Sequence, residues 1–179
     1  MLRYHRIHTA SDPALSKMQI LYEGSFPVHE RRRWEQLKGS ILQQEAMQCL
    51  AIYDAEEVIG MLVCWQFSTF CFIEHLAVDP KRRGEQYGQR IMRWLLEKSN
   101  PLPVLLEVEP PADEWSRRRI GFYERLGFTL LPYAYRQPCY HEPGTFHDLK
   151  LMGYGDWADE GTIEKAVSLI HRQVYAYER

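Results

Sequence analysis

Apolar and polar residues alternate from Leu2 to Thr9, which predicts a first strand. Helical spacing follows: Leu15, Met18, Leu21 and Tyr22 fall on one face, with Ser11 or Asp12 as cap and Pro13 in the first turn. Phe26-Pro27 interrupts that helix, and a polar helix rich in arginine and glutamine is predicted from about Glu30. Strands come next near Met47–Tyr53, Val58–Gln66 and Thr69–Val78, the first two joined across Asp54–Glu57 and the second two by a tight connection at Phe67 and Ser68. Such spacing predicts an antiparallel meander. Beyond it the pattern predicts a helix from about Gln86 to Lys98, a strand over Pro103–Glu109, a helix over Glu114–Leu126 and a strand over Phe128–Leu131. A final helix, from about Thr162 to Tyr177, carries Ile163, Val167, Ile170, Val174 and Tyr177 on one stripe, which packs on the domain or pairs with a second copy.

Composition narrows this picture. The chain has 179 residues, fitting one domain over 1–179, and neither repeats nor low-complexity linkers divide it. A formal net charge of -2 argues against a general nucleic-acid binder despite basic triplets at Arg31–Arg33, Lys81–Arg83 and Arg117–Arg119. The first triplet reads as a solvated helix face. Cys49, Cys64, Cys71 and Cys139 form no Cys-x-x-Cys pair, and no metal ligands are assigned. These thiols read as reduced, and no apolar run approaches the roughly 18 residues that span a bilayer. The expectation is a cytoplasmic protein with no membrane partner.

The most informative stretch runs from Leu76 to Leu96. A strand breaks at Pro80, a basic turn containing Gly84 and Gly88 follows, and an amphipathic helix begins at once. Main-chain N–H groups from Arg83 to Gly88, followed by a helix N-terminus, leave unpaired donors and the positive end of a dipole directed at one spot. The two glycines admit close approach of a ligand, and Arg82 and Arg83 add charge suited to phosphate oxygens. A diphosphate matches these features. Neither Gly-x-x-x-x-Gly-Lys-Ser/Thr nor Gly-x-Gly-x-x-Gly is present.

This turn resembles the coenzyme A pyrophosphate loop of the GNAT superfamily of acyl-CoA-dependent N-acetyltransferases, whose pattern is Gln/Arg-x-x-Gly-x-Gly/Ala. Arg83, Gln86 and Gly88 take the three fixed positions, Gln86 standing where the family usually has glycine. A second segment, Arg119-Ile120-Gly121-Phe122-Tyr123-Glu124-Arg125-Leu126-Gly127-Phe128, resembles the family's other signature, a helix that ends and turns straight into a strand; Arg119 stands where alanine is common. Gly127 is suited to a left-handed C-cap. The resemblance implies a GNAT-like α/β fold, with a central mixed, mostly antiparallel sheet flanked by helices, and acetyl-CoA as cosubstrate. It also implies contacts to that cosubstrate from Leu76, Ala77, Val78, Arg82, Arg83, Gly84, Gln86, Tyr87, Gly88, Gln89 and Tyr123.

The implied reaction is direct attack of a primary amine on a thioester, which needs an oxyanion donor, a base for the ammonium proton and an acid for the leaving thiolate. In the family the donor is a main-chain N–H, which maps to Leu76–Val78, and the acid is a tyrosine, which maps to Tyr123. Glu74 is the first candidate base: it shares a strand face with Leu76, and a carboxylate beside an apolar sheet tends to hold its proton. His75 points to the other face and reads as structural. Glu107 and Glu109 share a face of the next strand, suit a cationic amine, and one of them rivals Glu74. The acceptor wall is expected from Phe26–Arg33 and from Pro132–His147 between the last two strands, so Phe26, Glu30, Glu109, Tyr135, Gln137 and Tyr140 are the substrate-binding candidates. A small-molecule amine is the expected acceptor. The alternatives are a peptide or protein amine, and an acyl-CoA sensor without turnover.

Overall fold

The computed structural model describes residues 1–177. Its elements form an α/β fold in which a mostly antiparallel sheet is flanked by helices. Contacts divide the chain into two compact units, one of Met1–Phe67 with Ile73–Trp94, the other of Ser68–Phe72 with the chain from Leu95 onward.

The first unit opens with β1 (Leu2–Arg6), α1 (Ala14–Ser25) and α2 (Trp34–Gln43), followed by β2 (Met47–Asp54), β3 (Glu57–Gln66) and most of β4 (Cys71–Val78). Strand order here is β1-β2-β3-β4, with Leu2 opposite Asp54 and Arg6 opposite Leu50. Strands β2 and β3 pair from Met47–Trp65 to Asp54–Glu57, with a register shift between Ile52 and Tyr53. Helix α1 starts where proposed, since Asp12 Oδ1 accepts from the Ala14 N–H at 2.9 Å, and Leu15, Met18, Leu21 and Tyr22 are buried. The second helix does not begin at Glu30. A single 3-10 turn covers Val28–Glu30, and α2 starts only at Trp34, where the Gln36 side chain accepts from the Arg33 N–H at 3.1 Å. Helix α3 (Tyr87–Ser99) buries Ile91 and Met92, and its Trp94 stacks on Tyr4 with ring centroids 3.8 Å apart.

The second unit is organised on one long strand. It contains β5 (Val104–Val108), α4 (Glu114–Glu124), β6 (Thr129–Leu130), β7 (Tyr135–Pro138), β8 (Phe146–Tyr154) and α5 (Glu160–Gln173). Strand β8 pairs along one edge with β5, Val104 opposite Tyr154 and Val108 opposite Lys150. Along the other edge it takes β6 and β7 in succession, through Thr129–Gly153 and then Tyr135–Leu149 to Pro138–Phe146. The segment Pro132–His147 is therefore not one long connection: it contains β7 and the start of β8, and only residues 139–145 turn between them. Asp159 caps α5 by accepting from the Thr162 N–H at 2.7 Å. Ile163, Val167, Ile170 and Val174 of its stripe are buried within the single chain. Among the described residues no helix is long and apolar enough to cross a membrane.

Candidate active site

The turn between β4 and α3 is held by its own residues and by anchors at Lys17, Asp54, Glu57 and Ile59. Asp79 fixes its start: the main-chain N–H bonds Ile59 O at 2.8 Å, one carboxylate oxygen accepts from Lys81 N–H at 3.0 Å, and the other accepts from Lys17 Nζ at 2.6 Å. The lysine hydrogen bond, with help from Lys81, holds the Asp79 carboxyl below the usual carboxylate range. A 3-10 turn follows at Pro80–Arg82, and then the chain twists left-handed twice, with φ of 86° at Gly84 and 62° at Gln86. Gln86 thus adopts the backbone that the family's glycine would favour. Its carbonyl accepts from Arg90 N–H at 3.1 Å, which starts α3. Among the described residues the main-chain N–H groups of Gly84 through Gln89 make no hydrogen bond to the protein. Those of Tyr87, Gly88 and Gln89 open the positive end of a 13-residue helix, an arrangement that binds anions.

The two arginines of this turn differ. Arg82 contacts Asp54 at 2.9 Å, Glu57 at 3.2 Å and Glu85 at 3.1 Å, and also the Tyr87 hydroxyl. Its charge is matched by three carboxylates, and the Glu85 and Asp54 hydrogen bonds raise its already high pKa. Tyr87 turns its ring into the protein and donates to Asp54 at 2.5 Å, a bond that raises the phenol pKa. Arg82 and Tyr87 therefore direct their side chains into this acidic cluster, while Arg83 is exposed and has no ion pair among the described residues. Gly88 and Gln89 are half-buried in the first turn of α3.

Strand β4 carries Leu76, Ala77 and Val78 immediately before this turn. Two residues earlier stands Glu74, whose side chain is 0% exposed. One of its oxygens takes the Arg32 guanidinium and the other accepts from Trp65 Nε1 at 2.6 Å. Arg32 is buried as well, which overturns the reading of Arg31–Arg33 as a solvated helix face. Burying a guanidinium is costly unless it meets an anion, and Glu74 supplies one. Beside this pair the buried His75 meets the Tyr22 hydroxyl at 3.3 Å, and burial lowers its pKa to about 4, so the imidazole is neutral near pH 7. Phe26 packs on the His75 ring with centroids 4.5 Å apart, and Glu30 lies 3.5 Å from His29.

The second unit gathers a different constellation. Glu107, half-buried on β5, accepts from the Tyr135 hydroxyl, from Gln137 Nε2 at 2.7 Å and from the Tyr175 hydroxyl at 2.6 Å. Burial and the adjacent Glu107 charge raise the Tyr135 pKa. Tyr140 packs on Tyr175 at 4.9 Å, whereas Glu109 turns away to pair with Arg119 at 2.9 Å. The β7–β8 hairpin is what aligns Tyr135 and Gln137, two residues apart on one strand, with the same carboxylate. Tyr175, just past α5, was not among the sequence candidates, nor were Arg32, Trp65, Tyr22 and Lys17. Their partners lie 9 to 68 residues away in the chain, so no local pattern marks them.

Tyr123 is placed by a helix stop. The Gly127 N–H bonds Glu124 O at 2.9 Å and the Phe128 N–H bonds Tyr123 O at 3.1 Å, with Gly127 at φ 92°, the paired bonds of a Schellman motif. The accompanying apolar contact is Phe128 on the Tyr123 ring, 5.7 Å between centroids. Burial raises the Tyr123 pKa, opposed by Arg119, so the phenol is protonated at pH 7 and able to donate.

The model of the acetyltransferase (GNAT) family matches residues 15–128, well over half of the chain and inclusive of both the turn and the Tyr123 helix stop. The chain belongs to the GNAT acetyltransferase family. Among solved structures, this GNAT chain is similar to a protein assigned to the same family from Bacteroides thetaiotaomicron, at 34% identity over 98% of this chain and 99% of that one, with a TM-score of 0.92. It shares its fold with a GNAT family acetyltransferase from Elizabethkingia anophelis that has acetyl-CoA bound, at 15% identity over 87% of this chain and 98% of that one, with a TM-score of 0.58. Among curated proteins it is similar to YjbC of Bacillus subtilis (strain 168), assigned as an acetyltransferase, at 28% identity over 106 residues, 58% of this chain and 52% of that one. The matched part spans about half the length of that relative. Acyl-CoA is the cosubstrate of the GNAT family, and the donor set of the turn, six main-chain N–H groups and the exposed Arg83, fits a diphosphate.

Proposed function

We propose that the protein transfers an acetyl group from acetyl-CoA to a primary amine of a small molecule by direct attack on the thioester. The observation that carries this reading is the row of N–H groups from Gly84 to Gln89, unpaired among the described residues, at the start of α3. Those groups and Arg83 hold the diphosphate, Gly88 admits it, and Arg82 and Tyr87 brace the turn through Asp54. Main-chain groups of Leu76–Val78 receive the thioester arm and its developing oxyanion. The amine nitrogen bonds to the carbonyl carbon, the carbon–sulfur bond breaks, and Tyr123 returns a proton to the departing thiolate.

The base in this scheme is Glu107, the rival that the sequence offered to Glu74. Glu74 is fully enclosed with both oxygens occupied, one by a guanidinium that competes with any proton. Glu107 is half-buried, and Tyr135, Gln137 and Tyr175, which donate to it, are neutral groups. An ammonium is attracted to such a carboxylate, and the half-buried Tyr140 supplies aromatic surface for the rest of the molecule. Thiol release from acetyl-CoA, measured over a panel of small amines and short peptides, tests the proposal. Turnover confined to small amines supports it, turnover confined to peptides replaces the acceptor class, and binding of acetyl-CoA without release for any amine refutes catalysis.

A further inference from the structure

The chain between α1 and α2 has almost no regular structure to fix it. From Phe26 to Arg33 the one repetitive element is the 3-10 turn at Val28–Glu30, closed by the Glu30 N–H on Pro27 O at 2.9 Å. What ties this connection to β4 is a set of buried side chains. The Arg32 guanidinium meets the enclosed Glu74, which Trp65 holds from its other side at 2.6 Å. The Arg32 main-chain N–H donates to the Tyr22 hydroxyl at 3.0 Å, and that hydroxyl meets His75 Nε2 at 3.3 Å. Arg31 Nε reaches back to Phe26 O at 3.0 Å, and Phe26 rests on His75. The side-chain contacts lead to Glu74 or His75, directly or through Tyr22 and Phe26, and these two neighbours lie just before Leu76–Val78.

We infer that Arg32 is a positioning residue for the acceptor: its pairing with Glu74 latches the Phe26–Arg33 connection to β4, so that Phe26 and Glu30 are held in fixed relation to the strand that receives the acyl group. This rests on the acetyltransfer reading given above. A buried ion pair contributes little net stability compared with apolar residues of the same shape, but breaking it leaves an unmatched charge, so it fixes one arrangement and penalises others. The pair thus has a specific consequence: without it the connection loosens, while the α3 turn, anchored separately by Asp79 and Lys17, is left as it was.

The test uses Arg32→Lys, Arg32→Gln and the milder Tyr22→Phe, which removes the hydroxyl accepting the Arg32 N–H while sparing the ion pair. Hydrogen exchange is followed by mass spectrometry, with acetyl-CoA affinity measured by calorimetry and initial rates with the amine found to turn over. The expected result for Arg32→Gln is at least tenfold faster exchange in residues 26–33, unchanged exchange in residues 83–90 and acetyl-CoA affinity within twofold of wild type. KM for the amine rises at least tenfold while kcat changes less than threefold, and Arg32→Lys restores part of the loss. Tyr22→Phe, which keeps the buried ring and the ion pair, gives a smaller change in the same direction in both readouts. Unchanged exchange over 26–33 overturns the latch, and so does a kcat loss with KM unaltered. Should no amine turn over at all, the acetyltransfer reading fails on its own while the exchange result still decides the latch.

Discussion

Gln86 is a place where the backbone of the cofactor turn can be tested without touching its chemistry. At φ 62° an L side chain sits in the left-handed region, which costs about 1–2 kcal/mol relative to ordinary helical backbone. The side chain is exposed and makes no hydrogen bond among the described residues, so its removal forfeits no contact. Gln86→Gly relieves the strain and gives back about 0.5–1 kcal/mol through the greater freedom of glycine in the unfolded chain. The net is a gain of about 0.5–1 kcal/mol, which for a chain of this size raises Tm by about 1–4 °C. Gly84→Ala runs the comparison in reverse. Glycine is at φ 86° there with no heavy atom within 4 Å of an added Cβ, so the backbone alone decides, and a loss of about 1 kcal/mol is expected. Urea unfolding without ligand, at one pH and with the m-value checked for constancy, measures both changes. A less stable Gln86→Gly protein, or a more stable Gly84→Ala protein, refutes the left-handed turn and with it the alignment of N–H groups that makes the site.

Four further outcomes are expected. Gly88→Glu abolishes binding of coenzyme A by bulk and by like charge against the diphosphate, measured by calorimetry, and retained affinity removes the turn from the cofactor site. Tyr123→Phe lowers turnover by about 10–100-fold with acetyl-CoA affinity nearly intact, as befits the loss of one general acid; an unaffected rate at saturating substrate strips it of that role. The pKa of His75 is lowered in the fold to about 4 from 6.5, so the unfolded chain binds more protons between those values and stability falls as pH drops from about 6.5 towards 4. The contribution at stake is about 3 kcal/mol, and His75→Gln flattens that part of a stability–pH curve. Asp113→Ala removes the N-cap of α4, where the carboxylate accepts from Ser116 N–H at 2.7 Å and Ser116 Oγ accepts from Asp113 N–H at 3.1 Å, and a loss of about 1 kcal/mol is expected in thermal unfolding.

What the sequence made legible was local. The turn at Arg83–Gly88 and the helix stop at Tyr123–Phe128 are set by residues within a few positions of one another, so glycine placement and helical spacing mark them directly. Alternation found β1 to β5 to within a few residues. Pairing across the sheet is another matter. Strands β7 and β8 share a segment whose proline and aromatic content reads as connection, and only the partner strand makes Tyr135–Pro138 extended. Charges were seen but not their destinations: Arg82 looked available for phosphate until Asp54 and Glu57 stood beside it, and Arg32 looked solvated until Glu74, 42 residues on, closed over it. The same distance effect hides Tyr175, which reaches Glu107 from 68 residues away. Side-chain networks that join separate elements have no spacing for a sequence to show.

The most direct test of the account is calorimetric titration of the purified protein with acetyl-CoA, with free coenzyme A in parallel. Saturable binding of both at one site per chain, weakening as salt screens the diphosphate from Arg83 and the α3 terminus, is what the account predicts. No binding of either ligand by the folded protein contradicts it.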